Sequence, residues 1–178
     1  TFNRRDTIFY AFIVAMMIPG QALLIPMFQY LKNLGLLNTH VVLSLSMTGG
    51  AIAFAIFLMR SFFKSLPGEL GDAGKIDGCD EWGVFRHIYL PLARPGIATV
   101  IIFQFMGTWN EFMFSTTFLN TPNEKTIQPA LYQVVGRYSI DYTALSAGLL
   151  MAILPILIVF LLLQKQFIKG LTAGAFKG

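Results

Sequence analysis

Nine carboxylates, two histidines and one cysteine are the groups with which this chain could do acid, base, thiol or metal chemistry. Their spacing does not favour catalysis. No aspartates face each other across apolar helices, no serine has an obvious base nearby, and His40 and His87 fall in different compartments once the apolar stretches are taken as membrane spans, so an intramembrane hydrolase is a poor fit. Cys79 has no partner for an internal disulfide and supplies too few thiols for a Cys-rich metal centre. The run GELGDAGKID imitates a phosphate-binding loop, but that pattern needs glycine five positions before the Gly-Lys pair and a hydroxyl after the lysine. Glu69 and Ile76 stand there instead. A carboxylate repels phosphate and isoleucine offers magnesium nothing, so no ATP site is expected in this chain. The reading is non-enzymatic, with no catalytic residue, metal or cofactor.

Two polar interruptions remain. One is DAGKIDGCDEWGVFRHIYLP, residues 72–91, set between long apolar stretches: an acidic residue (Asp72), two small ones (Ala73, Gly74), three others, Gly78, nine others, Ile88, one other, then Leu90-Pro91. Pro67 suits a first helical turn, and Glu69 and Asp72 place negative charge at the positive end of the helix dipole, so a short helix is expected to begin there. Ile76-Asp77-Gly78 reads as a turn, with Gly78 free to take a conformation that a side chain resists. A second short helix, capped by Asp80 or Glu81, should carry Trp82, Phe85 and Ile88 or Tyr89 as an apolar stripe opposite Arg86 and His87, and Leu90-Pro91 should close it. Taken alone, such a helix pair is more readily an amphipathic element lying against lipid headgroups. The other interruption is Trp109-Asn110-Glu111, roughly 24 Å along a helix from Pro95 at 1.5 Å per residue. An ionisable residue inside a span normally faces protein or water, which makes these three candidates for a translocation path. Alternatively, Trp109 and Glu111 mark the outer interface, or Glu111 pairs with a neighbouring subunit.

The elements that hold these groups are spanning helices. Apolar residues make up 55% of the chain and charged ones 12%, about half the charged share of an ordinary globular chain, and mean hydropathy is +0.64. Four apolar stretches are long enough to cross a bilayer as helices, near 8–31, 41–60, 95–118 and 143–165, with the loop 61–94 between the second and third. A fold of all-α class follows: a polytopic membrane helix bundle with a helix-turn-helix between the second and third spans. Pro19-Gly20 and Pro26 should bend or break the first. Ala144, Gly148 and Ala152, four residues apart, should form a groove for close helix packing, as should Ala51 and Ala55. Pro155 should bend the last span. The segment from about Asn120 to Asp141, with Tyr132, Tyr138 and Tyr142, should hold a helix near the interface. No cleavable signal peptide is visible. The pI of 9.3 does not point to nucleic acid, because the basic residues sit at the ends of apolar stretches.

The complete spaced pattern of residues 72–91 resembles the cytoplasmic loop by which permease subunits of binding-protein-dependent ABC importers grip their ATPase. The terminal GLTAGAFKG is similar to the tail of the carbohydrate branch typified by the maltose transporter. The resemblance covers essentially the whole chain and corresponds to the last four of six spanning helices, so two N-terminal helices are expected to be missing. It implies that Glu69, Asp72, Ala73, Gly74, Asp77, Gly78, Phe85, Ile88, Leu90 and Pro91 form an ATPase-coupling element. Asp72 stands where the family usually has Glu and Gly74 where it usually has Ala. Each interior glycine weakens a helix by about 1 kcal/mol relative to alanine, so a coupling helix that stiffens only on docking is expected.

The resemblance further implies a multi-pass subunit of the bacterial plasma (inner) membrane. Its implied partners are a dimer of ATPase subunits, a second permease subunit, an extracytoplasmic solute-binding protein, membrane lipid and a sugar-like solute, with no nucleic acid. With residues 61–94 inside, ten basic residues fall on the cytoplasmic side (Arg4, Arg5, Arg60, Lys64, Lys75, Arg86, Arg94, Lys165, Lys169, Lys177) and three outside (Lys32, Lys125, Arg137), together the 13 of the chain. The alternatives are a permease for another solute class, such as an amino acid, metal or phosphorus compound, and a membrane scaffold that does not transport.

Overall fold

Lipid as solvent leaves the backbone no partner but itself, and the computed structural model is accordingly helical. It describes residues 4–135 and 140–175, with side chains to residue 168. Among these, the only extended pairing is a single bridge between Val135 and Ile140. The protein is an all-α membrane helix bundle. Two helices are individually long and apolar enough to cross a membrane: α3 (His40–Ser65) and the first 27 residues of α10 (Tyr142–Ala175).

α1 (Arg5–Met16) and α2 (Leu24–Asn33) are joined by the 3-10 turn Gly20–Leu23 and bent by 78°. The break falls at Pro19-Gly20, as expected. Pro26 breaks nothing, because it lies in the first turn of α2, where N–H groups have no intrahelical acceptor to lose. α7 (Arg94–Trp109) packs against both α10 and α3, and α1 packs against α3. Between helices in lipid the attraction is mainly dispersion, which rewards small residues that let backbones approach. α7 buries Gly96, Ala98, Thr99 and Ile102, and α10 buries Ala152. The expected groove on α10 is used at Gly148, where an added methyl would lie 2.3 Å from Leu131 Cδ2 of α9 (Ile127–Val134). Apolar side chains on the outer face of α10 are exposed, Leu162 by 75%, as a lipid-facing surface requires.

At one end, α2, α3 and α8 (Met113–Phe118) close a small core of Leu31, Val42, Leu43, Phe118 and Leu119. Asn38, one of few non-glycine types that tolerate a left-handed backbone, has φ 61° here. Its Oδ1 accepts from the N–H groups of Asn120 (2.6 Å) and Thr121 (3.1 Å), and His40 Nε2 lies 2.9 Å from Glu124 Oε2. At the other end, Arg60 of α3 pairs with Asp6 and lies 3.8 Å above the ring of Phe9. The segment 119–141 contains the 3-10 turn Pro122–Glu124 and α9. Tyr138 and Arg137 lie outside the described residues.

Candidate functional site

Pro67 holds Leu66 extended (ψ 139°), which ends α3, and α4 (Glu69–Ile76) starts at once with Glu69 and Asp72 in its first turn and Lys75 in its last. It stops in a Schellman cap: Cys79 N–H donates to the Gly74 carbonyl (2.9 Å) and Gly78 N–H to that of Lys75 (3.1 Å), with Gly78 at φ +88°. Asp80 then caps α5 (Glu81–Val84), its Oδ1 accepting from Gly83 N–H at 2.7 Å. Lys75 Nζ bridges the turn to Glu81 Oε1 at 2.7 Å. This contact lowers the Glu81 pKa and raises that of Lys75.

Leu90-Pro91 does not close the second helix. After Val84 the chain widens into a π turn, Phe85–Tyr89, in which Leu90 N–H reaches the Phe85 carbonyl, and α6 (Leu90–Leu92) carries the helix past Pro91. A proline in a regular helix clashes with the carbonyl four residues earlier, and the wider turn supplies the room. The limb ends at Ala93, which is fully buried, and the next helix, α7, leaves at 63°.

The same turn redraws the apolar stripe. Val84, Ile88 and Tyr89 face α4, whereas Trp82 (64% exposed) and Phe85 (38%) point outward and pack on each other with ring centroids 5.4 Å apart. α4 meets this face through glycine. A methyl on Gly74 would lie 2.4 Å from Ile88 Cδ1 and 3.3 Å from Val84 Cγ2, and one on Gly71 would lie 2.6 Å from Tyr89 Oη. Both glycines are buried. The weakness expected of a glycine-rich α4 is therefore offset by close packing against its neighbour, and Gly74 faces inward. The exposed surface of the element carries Glu69, Asp72, Ala73, Asp77 and Gly78 on α4 and its turn, with Phe85, Leu90 and Pro91 on the second limb; Ile88 is half-buried. Tyr89 was expected only as one choice for the apolar stripe, and its juxtaposition with Gly71 was not expected. The spacing Gly68, Gly71, Gly74 puts three glycines along one helix face, which was the available signal.

The second candidate group lies where α7 ends. The stretch 95–118 is divided at Asn110–Phe112, and the Glu111 carboxylate caps the new helix α8, accepting from Phe114 N–H and Ser115 N–H at 2.8 Å each. Trp109 Nε1 donates to the Ala152 carbonyl (2.9 Å), and Gln128 Nε2 reaches the Trp109 carbonyl and Asn110 Oδ1 (3.3 Å each). The hydroxyls of Ser115 and Thr126 are hydrogen-bonded. A mainly apolar cleft of about 360 Å³ opens beside the break, lined in part by His40, Ser44, Phe105, Thr108, Trp109 and Glu111. Among the described residues no group of three His, Cys, Asp or Glu is placed to hold a metal ion.

Residues 2–172 match the family described as binding-protein-dependent transport system inner membrane component. The chain is 40% identical over 163 residues, 92% of its length, to a probable ABC transporter permease protein, YurM, of Bacillus subtilis. It is 36% identical to the diacetylchitobiose uptake system permease protein NgcG of Streptomyces coelicolor over 99% of its length, and 36% identical to the lactose transport system permease protein LacG of Rhizobium radiobacter over 94%. The chain spans 54%, 59% and 60% of these relatives' own lengths.

Proposed function

We propose, from the premise that this chain belongs to the family of inner membrane components of binding-protein-dependent transport systems, that it is the permease portion of an ATP-driven sugar importer. Diacetylchitobiose and lactose in the names of its relatives support a sugar or oligosaccharide as the solute. The bacterial inner membrane is its place. ATP is hydrolysed by a separate pair of ATPase subunits, a second permease completes the pathway, and an extracytoplasmic binding protein delivers the solute.

The observation that carries this reading is the two-limbed element of residues 66–93, interposed between α3 and α7. It offers an ATPase cleft the exposed face of α4 and its turn, and its second limb runs on to α7, so a displacement taken up at the ATPase reaches the bundle. Four crossings, near 8–31, 41–60, 95–118 and 143–165, put this element and ten of the thirteen basic residues on the cytoplasmic side. Trp109, Asn110 and Glu111 then sit at the far end of the third crossing beside the cleft, with Glu111 shaping its wall. The full-length protein should co-purify with an ATPase from its native membrane. In proteoliposomes with that ATPase, the second permease and the binding protein, it should import sugar at the expense of ATP. ATPase binding without import would leave the scaffold reading, and no ATPase binding would refute both.

A further inference from the structure

One aromatic ring stands between α4 and the inner end of α3. Tyr89 meets Phe63 edge-on, with ring centroids 6.5 Å apart and planes at 86°. On its other side it meets the bare backbone of Gly71, where an added methyl would lie 2.6 Å from Oη and 3.4 Å from Cε2 and Cζ. The ring is half-buried and belongs to the π turn, so the widened helix sets its direction. The neighbouring Phe62 fits Gly96 of α7 in the same way, a methyl there lying 2.8 Å from its Cγ.

We propose that Tyr89 is a positioning residue for the transport cycle, a strut that carries displacement of α4 to the inner end of α3, with Gly71 as its socket. The inference rests on residues 66–93 being the ATPase-docking element. With the ring set between Gly71 and Phe63, a shift of α4 toward it presses on the ring and, through the ring pair, on Phe63. Alanine at 71 drives its methyl into Oη, whereas phenylalanine at 89 removes Oη and leaves the nearest ring atoms at 3.4 Å, an ordinary contact. The two substitutions should therefore cancel.

The test uses the full-length permease assembled with its partner permease, ATPase and binding protein, in a Cys79→Ser background carrying Ser44→Cys. Ser44 lies on α3 at the outer cleft and is exposed. The readout is the ratio of maleimide labelling rates at position 44 with and without MgATP plus vanadate, alongside the rate of ATP hydrolysis. The ratio should fall about fivefold or more in Gly71→Ala, the low end of what overpacking a fitted contact produces. It should fall also in Tyr89→Phe, which leaves the socket unfilled, and be restored in the double variant, where the methyl of alanine at 71 takes the space that Oη leaves, while ATP hydrolysis stays within about twofold throughout. A Gly71→Ala ratio like the wild type, or a double variant no better than Gly71→Ala, overturns the strut. If Gly71→Ala fails to assemble, rescue of assembly by Tyr89→Phe supports the fit and its absence overturns it. A wild-type assembly that binds no ATPase refutes the underlying function instead, so the two failures are distinguishable.

Discussion

Glu111 is the residue at which a structural and a transport role separate most cleanly. Its two carboxylate oxygens each accept a backbone N–H of the first turn of α8, from Phe114 and Ser115, at 2.8 Å. Ser115 is 1% exposed, so water is poorly placed to replace the carboxylate there. Hydrogen bonds to a charged group contribute about 1.5–3 kcal/mol, and a buried donor left unpaired costs about 1–3 kcal/mol. Glu111→Gln keeps one acceptor oxygen and turns the other position into a donor facing a donor, a loss of about 2 kcal/mol. Glu111→Ala removes both acceptors and should lose about 4 kcal/mol. The measurement is reversible unfolding of the detergent-solubilised protein in mixed micelles, with sugar uptake followed in parallel at matched membrane abundance. The capping argument predicts graded destabilisation, Ala beyond Gln, with uptake falling in step. Both variants within about 0.5 kcal/mol of the wild type would refute it. Lost uptake at full stability would instead assign Glu111 to the solute path.

Gly148→Ala should cost less than about 1 kcal/mol, because the added methyl meets only the terminal Cδ2 of Leu131, a half-buried side chain that can turn aside, with Cγ at an ordinary 3.8 Å; the same unfolding assay reads it, and a loss beyond about 2 kcal/mol would contradict this. Gly78→Ala should cost about 1–2 kcal/mol for a left-handed residue with a Cβ, and Gly78→Asn less, because position 78 has φ +88° and open space around it; ATPase affinity of the reconstituted assembly should rank in that order. The Lys75–Glu81 contact should confer no pH dependence near neutrality. Glu81, its pKa lowered by Lys75, contributes fully above its ordinary value of 4.5 and loses the contribution as pH falls through the lower folded value. Lys75, raised by Glu81, contributes fully below 10.5 and loses it as pH rises through its higher folded value. ATPase binding by wild type and Glu81→Gln should therefore give parallel profiles between about pH 5.5 and about pH 9.5, and divergence inside that window would contradict the assignment.

Much of the architecture was legible because it rests on short-range rules. The break at Pro19-Gly20, the left-handed Gly78, the cap at Asp80 and the groove at Gly148 each follow from one or two residues and the backbone they permit. The π turn was not legible. Its extra residue shifts the helix phase beyond Phe85, so the stripe that the spacing draws through Trp82, Phe85 and Ile88 or Tyr89 is split, with Trp82 and Phe85 exposed and Ile88 and Tyr89 half-buried against α4. The division of the third stretch at Asn110–Phe112 was announced by polar residues, and the cap is itself local, Glu111 accepting from N–H groups three and four residues on; reading the stretch as one continuous span hid it. The glycines of α4 carried a signal in their three-residue spacing; propensity alone assigned them a weakness that the facing Ile88 and Tyr89 remove.

The wide turn at Phe85–Tyr89 also makes chain length a more sensitive variable than side-chain identity in this segment. Deleting either Arg86 or His87, both exposed, would let the helix rewind to regular pitch. The rewound turn would lose the room it gives Pro91, returning the proline ring to a collision with the carbonyl four residues before it. Point changes at those two sites should be absorbed, whereas a single-codon deletion between them should force the second limb to kink or unwind at Pro91.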